Sequence, residues 1–486
     1  MSTTNHTTRR TLIAAALGLA ATHGPLANLG RARAGAQEAG SHCLVIEHVT
    51  VLSMAPGVVP QEDMTVLIQG ERITTIEPTT HQSSPAGCTV IDGRGKWLMP
   101  GLFDMHVHFM SEPIPELAFT PEEILTPYLA NGVLQILDMA ATPDTNAIRD
   151  AVATGEIVAP FVASAALIDG FPPILPGARV VANPEAARAA VAEIAAAGFD
   201  FVKVYSRLTP EVFAAILAAA ENEDIRVIGH IPGNRKVPPA ELVQPGFALI
   251  AHAEELSWLA PDKSDAEIAQ FTTLLREHTT AITSTLFLDE QILAQTRNPE
   301  IVAATEGLAY LHPVELMLWF EENRYSGKRT PERIARLETL TAFNARLVKA
   351  LVEAGVPVLA GADAAFVPGV APGYALHQEL AALVAAGLTP WQALAAATSV
   401  PAEWLGVSDD RGTVEAGKRA NLILLDADPL ADIGNTRAIN AVIFNGELFD
   451  RQVLDARLAA LDALYAPYRP FFSPQGARAL AQQGRP

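Results

Sequence analysis

The sequence predicts an α/β protein whose body is a (β/α)8 TIM barrel. Apolar strand-like runs at 98–106, 132–139, 158–167, 199–205, 225–230, 248–252, 281–287 and 356–362 alternate with helical stretches. Such alternation argues for a parallel sheet, and eight units argue for its closure into a barrel. Helix starts fall between the runs. Asn183, Thr209, Thr330 and Thr389 each stand just before a proline, placing a capping side chain ahead of proline at the first helical position. Helix stops follow suit, with Gly198 after Val191–Ala197 and Gly355 after Leu351–Ala354.

In chain order, residues 1–34 read as a signal peptide. Arg9 and Arg10 precede an apolar stretch from Ala14 to Ala21, and Ala32-Arg33-Ala34 offers a small-residue cleavage pattern. The paired arginines resemble a twin-arginine signal, which predicts an exported chain, periplasmic or secreted, with no membrane attachment once mature. An uncleaved N-terminal anchor is the competing reading. Residues 35–97 carry short β-rich runs such as Val66–Gln69 between turns such as Gln69-Gly70 and Ala86-Gly87. The barrel is assigned to 98–404. Its longest connection, about 288–354, exceeds what one crossover helix needs. The apolar content there (Tyr310, Leu316, Leu318, Trp319, Phe320) fits either a lid over the barrel mouth or outer packing. From 405 to 450 the β character returns, in Ala420–Asp426 and Ala441–Gly446. The tail 451–486 has no assignment.

With 486 residues, 49% of them hydrophobic and 18% charged, the chain can bury a large core and is not disordered. Beyond the N-terminus no run of about 18 apolar residues suggests a membrane span. The formal net charge is −20, and loss of 1–34, with four arginines and no acid, would bring it to about −24. A surface of that sign repels nucleic acid. Cys43 and Cys88 are the two cysteines. They fit no metal-ligand spacing, and export permits a disulfide between them, with a pair of buried free thiols as the alternative.

The chemistry begins at Met99–His108, an apolar run ending in His-x-His. Residues i and i+2 of a strand share a face, so His106 and His108 can present two imidazoles to one cation. Further candidates end later runs: Lys203, His230, His252 and Asp363. Catalytic groups of a (β/α)8 barrel gather at the carboxyl ends of its strands. Among the 12 histidines, His377 follows the eighth run closely and is either a support for Asp363 or a packing residue. The others (His6, His23, His42, His48, His81, His278, His312) have no comparable placement.

These motifs, with Asn131–Met139, Gly229–Pro232, Leu388–Thr398 and Gly412–Asp426, resemble the amidohydrolase superfamily of metal-dependent hydrolases. The nearest resemblance is to its imidazolonepropionase-like and prolidase-like members, over roughly residues 43–450. The resemblance implies that 35–97 and 405–450 join in one β-sandwich beside the barrel, and that the protein is a homo-oligomer. It implies two divalent metal ions, with His106, His108 and Asp363 on one, His230 and His252 on the other, and Lys203 between them as a CO2-derived carbamate. An ammonium could not serve, since it has no lone pair and would repel the ions. An ordinary paired lysine or a mononuclear site are the alternatives. Zinc suits imidazole and carboxylate ligands, and manganese, iron and cobalt suit them too.

The expected activity is hydrolysis of an amide or peptide-like C–N bond in a small substrate by a metal-activated hydroxide, with Asp363 moving the proton. Tyr205, on the face of Lys203, either hydrogen-bonds the developing oxyanion or fills a barrel layer. The alternatives are ester, lactone or phosphotriester hydrolysis, then cyclic amidine or imidazolone hydrolysis or deamination, and outside enzymes a non-catalytic metal-binding relative. The loops Gly170–Pro176 and Ala365–Pro372 are apolar and proline-rich, which hints at an apolar substrate.

Overall fold

The described residues begin with five strands: β1 (Cys43–Val51), β2 (Gln61–Gln69), β3 (Arg72–Pro78), β4 (Thr89–Asp92) and β5 (Trp97–Pro100). In β2, Met64, Val66 and Ile68 are buried while the residues between them are not, the period of two that fixes which face meets the core. β1 pairs antiparallel with β2 and parallel with β4 and β5. Cys43 and Cys88, at the adjacent starts of β1 and β4, form a disulfide, with Cα atoms 4.5 Å apart. The computed structural model describes residues 43–79, 85–109, 119–175, 177–233, 237–321, 323–325, 327 and 329–469; the signal-like segment 1–34 lies outside them.

The barrel strands then follow in order: β6 (Leu102–Val107), β7 (Val133–Asp138), β8 (Phe161–Asp169), a two-residue strand β9 (Arg179–Val180) beside β8, β10 (Phe201–Val204), β11 (Arg226–Gly229), β12 (Phe247–Ile250), β13 (Ala281–Thr283) and β14 (Val358–Leu359). Apart from β9, neighbours in this list pair in parallel, from β6 to β14. Backbone bonds from Met105 N to Ala360 O and from Asp363 N to His106 O bring β14 back to β6 and close the ring. These strands are buried along nearly their whole length, as a parallel sheet covered on its outer face must be.

Helices α1 (Pro121–Ala130), α2 (Pro143–Ala153), α3 (Pro184–Ala196) and α4 (Pro210–Asn222) connect the first strands. The caps expected at Asn183 and Thr209 accept from Ala186 N and Val212 N. After the short helices α5 (Pro239–Leu242) and α6 (Ala253–Ser257) comes α7 (Asp265–His278). Several of the sequence runs are cut shorter in the fold, among them 356–362, a strand only at Val358–Leu359. Trp97–Pro100 belongs to the β domain and the barrel begins at Leu102, because the chain passes over Leu134 at Gly101, where a Cβ would lie 2.5 Å from Leu134 Cδ1. The run 281–287 is a strand only to Thr283. Thr285 is left-handed (φ 46°), and the Glu379 carboxylate accepts from the backbone N–H groups of Leu286 and Phe287 to start a helix.

That helix, α8 (Leu286–Arg297), opens the long connection, which continues through α9 (Pro313–Glu321) and α10 (Pro331–Glu353). Thr330 caps α10 by accepting from Arg333 N. Trp319 is fully buried and donates to Ala365 O at 2.8 Å, pinning α9 to the loop after β14. Next come α11 (Tyr374–Ala385), α12 (Pro390–Ala396) and α13 (Ser399–Leu405). Thr389 caps α12. The chain then returns to the β domain as β15 (Leu422–Leu425), β16 (Ile439–Phe444) and β17 (Glu447–Asp450). β15 pairs with β5, and both ends of the chain share one apolar core that includes Ile46, Val66, Leu98, Leu424 and Ile443. The tail, unassigned by sequence, begins as α14 (Arg451–Tyr465), whose Tyr465 meets the Phe119 ring at 4.8 Å. Among the described residues no helix is long and apolar enough to cross a membrane.

Candidate metal centre

Six side chains converge where the barrel strands end. His106 sits on β6 and His108 just beyond it; Lys203 is on β10; His230 and His252 follow β11 and β12; Asp363 follows β14. Backbone conformation helps to aim them. Asp363 is left-handed (φ 60°), a cost for a non-glycine residue that is retained where the surroundings dictate it. Gly229 (φ +126°) precedes His230, and a Cβ there would lie 2.3 Å from Val204 O and 3.0 Å from Lys203 Cγ, so glycine lets β11 approach the lysine.

Hydrogen bonds on the far ring nitrogens set which nitrogen faces inward. His106 Nδ1 lies 3.0 Å from Ala251 O. A carbonyl only accepts, so Nδ1 carries the proton and Nε2 keeps its lone pair. His230 Nδ1 is 2.8 Å from Glu255 Oε1, and Glu255 Oε2 also accepts from Ile231 N. His252 Nδ1 is 3.1 Å from Thr285 Oγ1. His106 Nε2 therefore presents a lone pair to Asp363 Oδ1 at 3.3 Å, and neither atom has a hydrogen-bond partner. His108 Nε2 stands 3.1 Å from the same oxygen.

Ligand atoms of His106, His252 and Asp363 lie within 4.8 Å of one another. The His108 ring is 5.3 Å from that of His106, and the His230 ring 5.0 Å from that of His252. Lys203 is fully buried, with no hydrogen-bond partner for Nζ.

Burial sets the protonation states. It holds the His106 imidazole well below its usual range and takes His252 down to about 3, so both are neutral. Burial lowers Lys203 to about 8 against the pull of Asp363, Asp138 and Glu255. Burial alone would raise Asp363; the His108 contact and the nearby His252 and Lys203 outweigh it and hold the carboxyl low. The site thus holds neutral imidazoles at His106 and His252, a carboxylate at Asp363 and a lysine whose charged form burial disfavours.

A cavity of about 410 Å³ opens over these residues. Its wall includes Tyr205, whose ring lies 4.0 Å from that of His230, and Ile174 and Leu175 from the loop after β8. Arg324, Tyr325, Arg333 and Leu337 of the long connection also line it, so part of that connection forms one wall of the cavity. The cavity wall mixes apolar and charged groups.

His377 does not reach the site. Its Nδ1 pairs with Thr436 Oγ1 at 2.9 Å and its Nε2 with Asn131 O at 3.0 Å. Asn131 ends the helix that precedes β7, which places His377 toward the opposite end of the barrel, with no contact to Asp363. The reading of His377 as a catalytic or supporting residue is corrected: it packs α11. Its closeness to β14 in sequence misled, because α11 runs away from the mouth.

The sequence reading missed the residues that orient the ligands. Glu255 fixes His230. Buried Asp104 accepts from His106 N and Ala362 N, tying β6 to the end of β14. Glu379 holds the chain around Thr285, the partner of His252. A weak sequence signal exists for Asp104 and Glu255, acids two and three residues from assigned histidines; none exists for Glu379, which reaches the site only through the packing of α11.

Comparison with known proteins gives the class. The pattern of the Amidohydrolase family matches residues 97–449, and the chain belongs to that family. It is an enzyme, a hydrolase acting on C–N bonds. An uncharacterised protein of Mycobacterium tuberculosis is 28% identical over 398 residues, covering 74% of this chain and 87% of its own length. Imidazolonepropionase of Shouchella clausii is 38% identical over 96 residues, only 19% of this chain and 21% of that protein. Among solved structures, a bottromycin amidohydrolase superposes with TM-score 0.67 at 21% identity over 93% of both chains. A Xaa-Pro dipeptidase with bound methionine gives 0.64 at 19% identity over 84% of this chain and all of the other. At these identities the structures speak for the fold.

Proposed function

We propose that this chain is a metal-dependent hydrolase of an amide or peptide-like C–N bond in a small, largely apolar substrate. The observation that carries this reading is the pair of facing acceptors at the strand ends. His106 Nε2 and Asp363 Oδ1, both buried, meet at 3.3 Å with no proton between them. Two lone pairs at that range repel unless a cation lies near both, so the donor set fits a metal ion. His106, His108 and Asp363 would hold one ion, and His230 and His252 a second. Lys203, held near 8 by burial, is partly neutral at physiological pH and so nucleophilic enough to take up CO2; as a carbamate it would bridge the two. Zinc suits these imidazole and carboxylate ligands.

A pair of ions held by these residues would supply an acidified water and a polarised scissile carbonyl. The chain's own groups do the rest. Asp363, held ionised, accepts the water's proton and passes it to the leaving nitrogen. Tyr205, whose burial keeps its phenol protonated, donates to the carbonyl oxygen as negative charge grows there. Glu255, Ala251 O and Thr285 hold the imidazoles in register. Ile174, Leu175, Leu288 and Ile292 shield the reacting bond from bulk water.

The zinc- and bicarbonate-supplemented protein should hydrolyse members of a panel of dipeptides and N-acyl amino acids faster than lactones and aryl esters. Hydrolysis of esters or lactones alone would overturn the amide assignment. We also propose export by residues 1–34; replacing Arg9 and Arg10 by lysine should leave precursor in the cytoplasm, and undiminished export would refute it.

A further inference from the structure

We propose that the cavity is built for a substrate bearing a carboxylate, docked by Arg324 with Arg333 and Arg336. The inference rests on the amide-hydrolase reading of the site and adds the charge of the substrate. In a chain of net charge −20, three arginines line one cavity over the strand ends. Arg333 and Arg336 lie three residues apart in the first turns of α10, on one face with Leu337, and the positive end of that 23-residue helix adds to their field.

Arginines elsewhere on these elements are paired: Arg297 of α8 with Glu338, and Arg346 of α10 with Asp265. Among the described residues the three that line the cavity make no ion pair with a carboxylate, and Arg333 Nε is buried without a hydrogen-bond partner. The acids of the same wall are engaged. Asp363 belongs to the ligand set, Glu255 is bonded to His230 and Ile231, Asp289 accepts from Asn344 at 2.7 Å, and Glu254 has interactions of its own. Among the described residues the wall thus offers cationic donors that form no ion pair with its carboxylates.

Arg324 is the best placed of the three. Its guanidinium lies 5.2 Å from the ring centroids of both Tyr325 and Phe366, and the Phe366 ring is 5.6 Å from that of His108. Ring contacts of this kind restrain the plane of a guanidinium; one of its N–H groups is engaged by the Tyr325 side chain, and the remaining donors can serve a carboxylate. A carboxylate held there stands one ring away from the metal-ligating histidines. The apolar side chains Ile174, Leu288 and Ile292 lie in the same wall. The matching substrate is an amide with an apolar body and a free carboxylate, such as an N-acyl amino acid or a dipeptide with its C-terminus.

The test uses two probes without a scissile bond, 4-phenylbutyrate and 4-phenylbutan-1-ol, titrated calorimetrically into the full-length protein. A charge-assisted bidentate contact is worth roughly 10- to 100-fold, so wild type should bind the acid at least about tenfold tighter than the alcohol. Arg324→Gln should remove most of that preference without weakening the alcohol, and Arg324→Lys should keep part of it. Equal binding of the two probes by wild type overturns the proposal whatever the variants do. So does a preference that survives when Arg324, Arg333 and Arg336 are all glutamine, since the carboxylate would then be gripped by a metal. Because neither probe can be hydrolysed, failure here is distinct from failure of the amide-hydrolase reading.

Discussion

Replacing Asp363 by asparagine separates its two assigned roles. Asparagine keeps the volume and one coordinating oxygen but loses the charge and the proton-accepting capacity. The site tells what else should change. Asp363 Oδ1 now faces His106 Nε2 at 3.3 Å and His108 Nε2 at 3.1 Å. An amide nitrogen turned the same way would donate into an imidazole lone pair, so the metal-free variant should melt no lower than metal-free wild type. Positioned general acid–base help is worth about 10²–10⁴ in rate, which corresponds to roughly 3–5 kcal/mol of barrier at 1.36 kcal/mol per tenfold. The expected result is a kcat reduced by at least 10²-fold at saturating substrate, with metal content largely retained. The assay is steady-state turnover beside elemental analysis and a melting curve on the same preparation. Near-normal kcat with the metal complement intact would refute the proton-transfer role and reduce Asp363 to a ligand.

Three further outcomes follow from contacts seen in the structure. Glu255→Gln removes the carboxylate that accepts from His230 Nδ1 at 2.8 Å and should lower zinc affinity about 10–100-fold, read by competition with a chelating dye; unchanged affinity would sever Glu255 from the metal centre. His377→Phe should leave kcat within about twofold but cost roughly 1–3 kcal/mol of stability, because its bonds to Thr436 and Asn131 are buried; a large loss of turnover at unchanged stability would restore a catalytic role. Replacing Cys43 and Cys88 by serine opens a loop of sequence separation 45 and should cost up to about 4 kcal/mol in denaturant unfolding, with the barrel site's activity intact in the folded fraction.

How much of this was legible in the sequence depends on whether a residue acts through its own neighbours or through distant ones. The barrel was legible because each parallel strand is buried on both faces and so reads as a short apolar run, and because proline-flanked caps at Asn183, Thr209, Thr330 and Thr389 mark helix starts by local chemistry. The convergence of His106, His108, Lys203, His230, His252 and Asp363 was legible for the same reason: each ends such a run, and a barrel gathers strand ends. Strand limits were less legible. The run 98–106 carries no local sign that Gly101 divides it between two sheets, and the strand character of 281–287 yields to a helix start imposed by Glu379, a residue 92 to 95 positions away. Asp104, Glu255 and Arg324 owe their placement to tertiary closeness, which no periodicity encodes. His377 shows the opposite error, closeness in sequence without closeness in space.

The central claim is that these strand-end residues form a two-ion site bridged by Lys203. It is tested most directly by the metal content of the full chain, purified without chelators and then supplied with zinc and bicarbonate. The account predicts close to two divalent ions per chain, falling toward one when bicarbonate is withheld or when Lys203 is replaced by alanine. A chain that binds no divalent ion, or one that binds a single ion whatever the bicarbonate or the residue at 203, would contradict it.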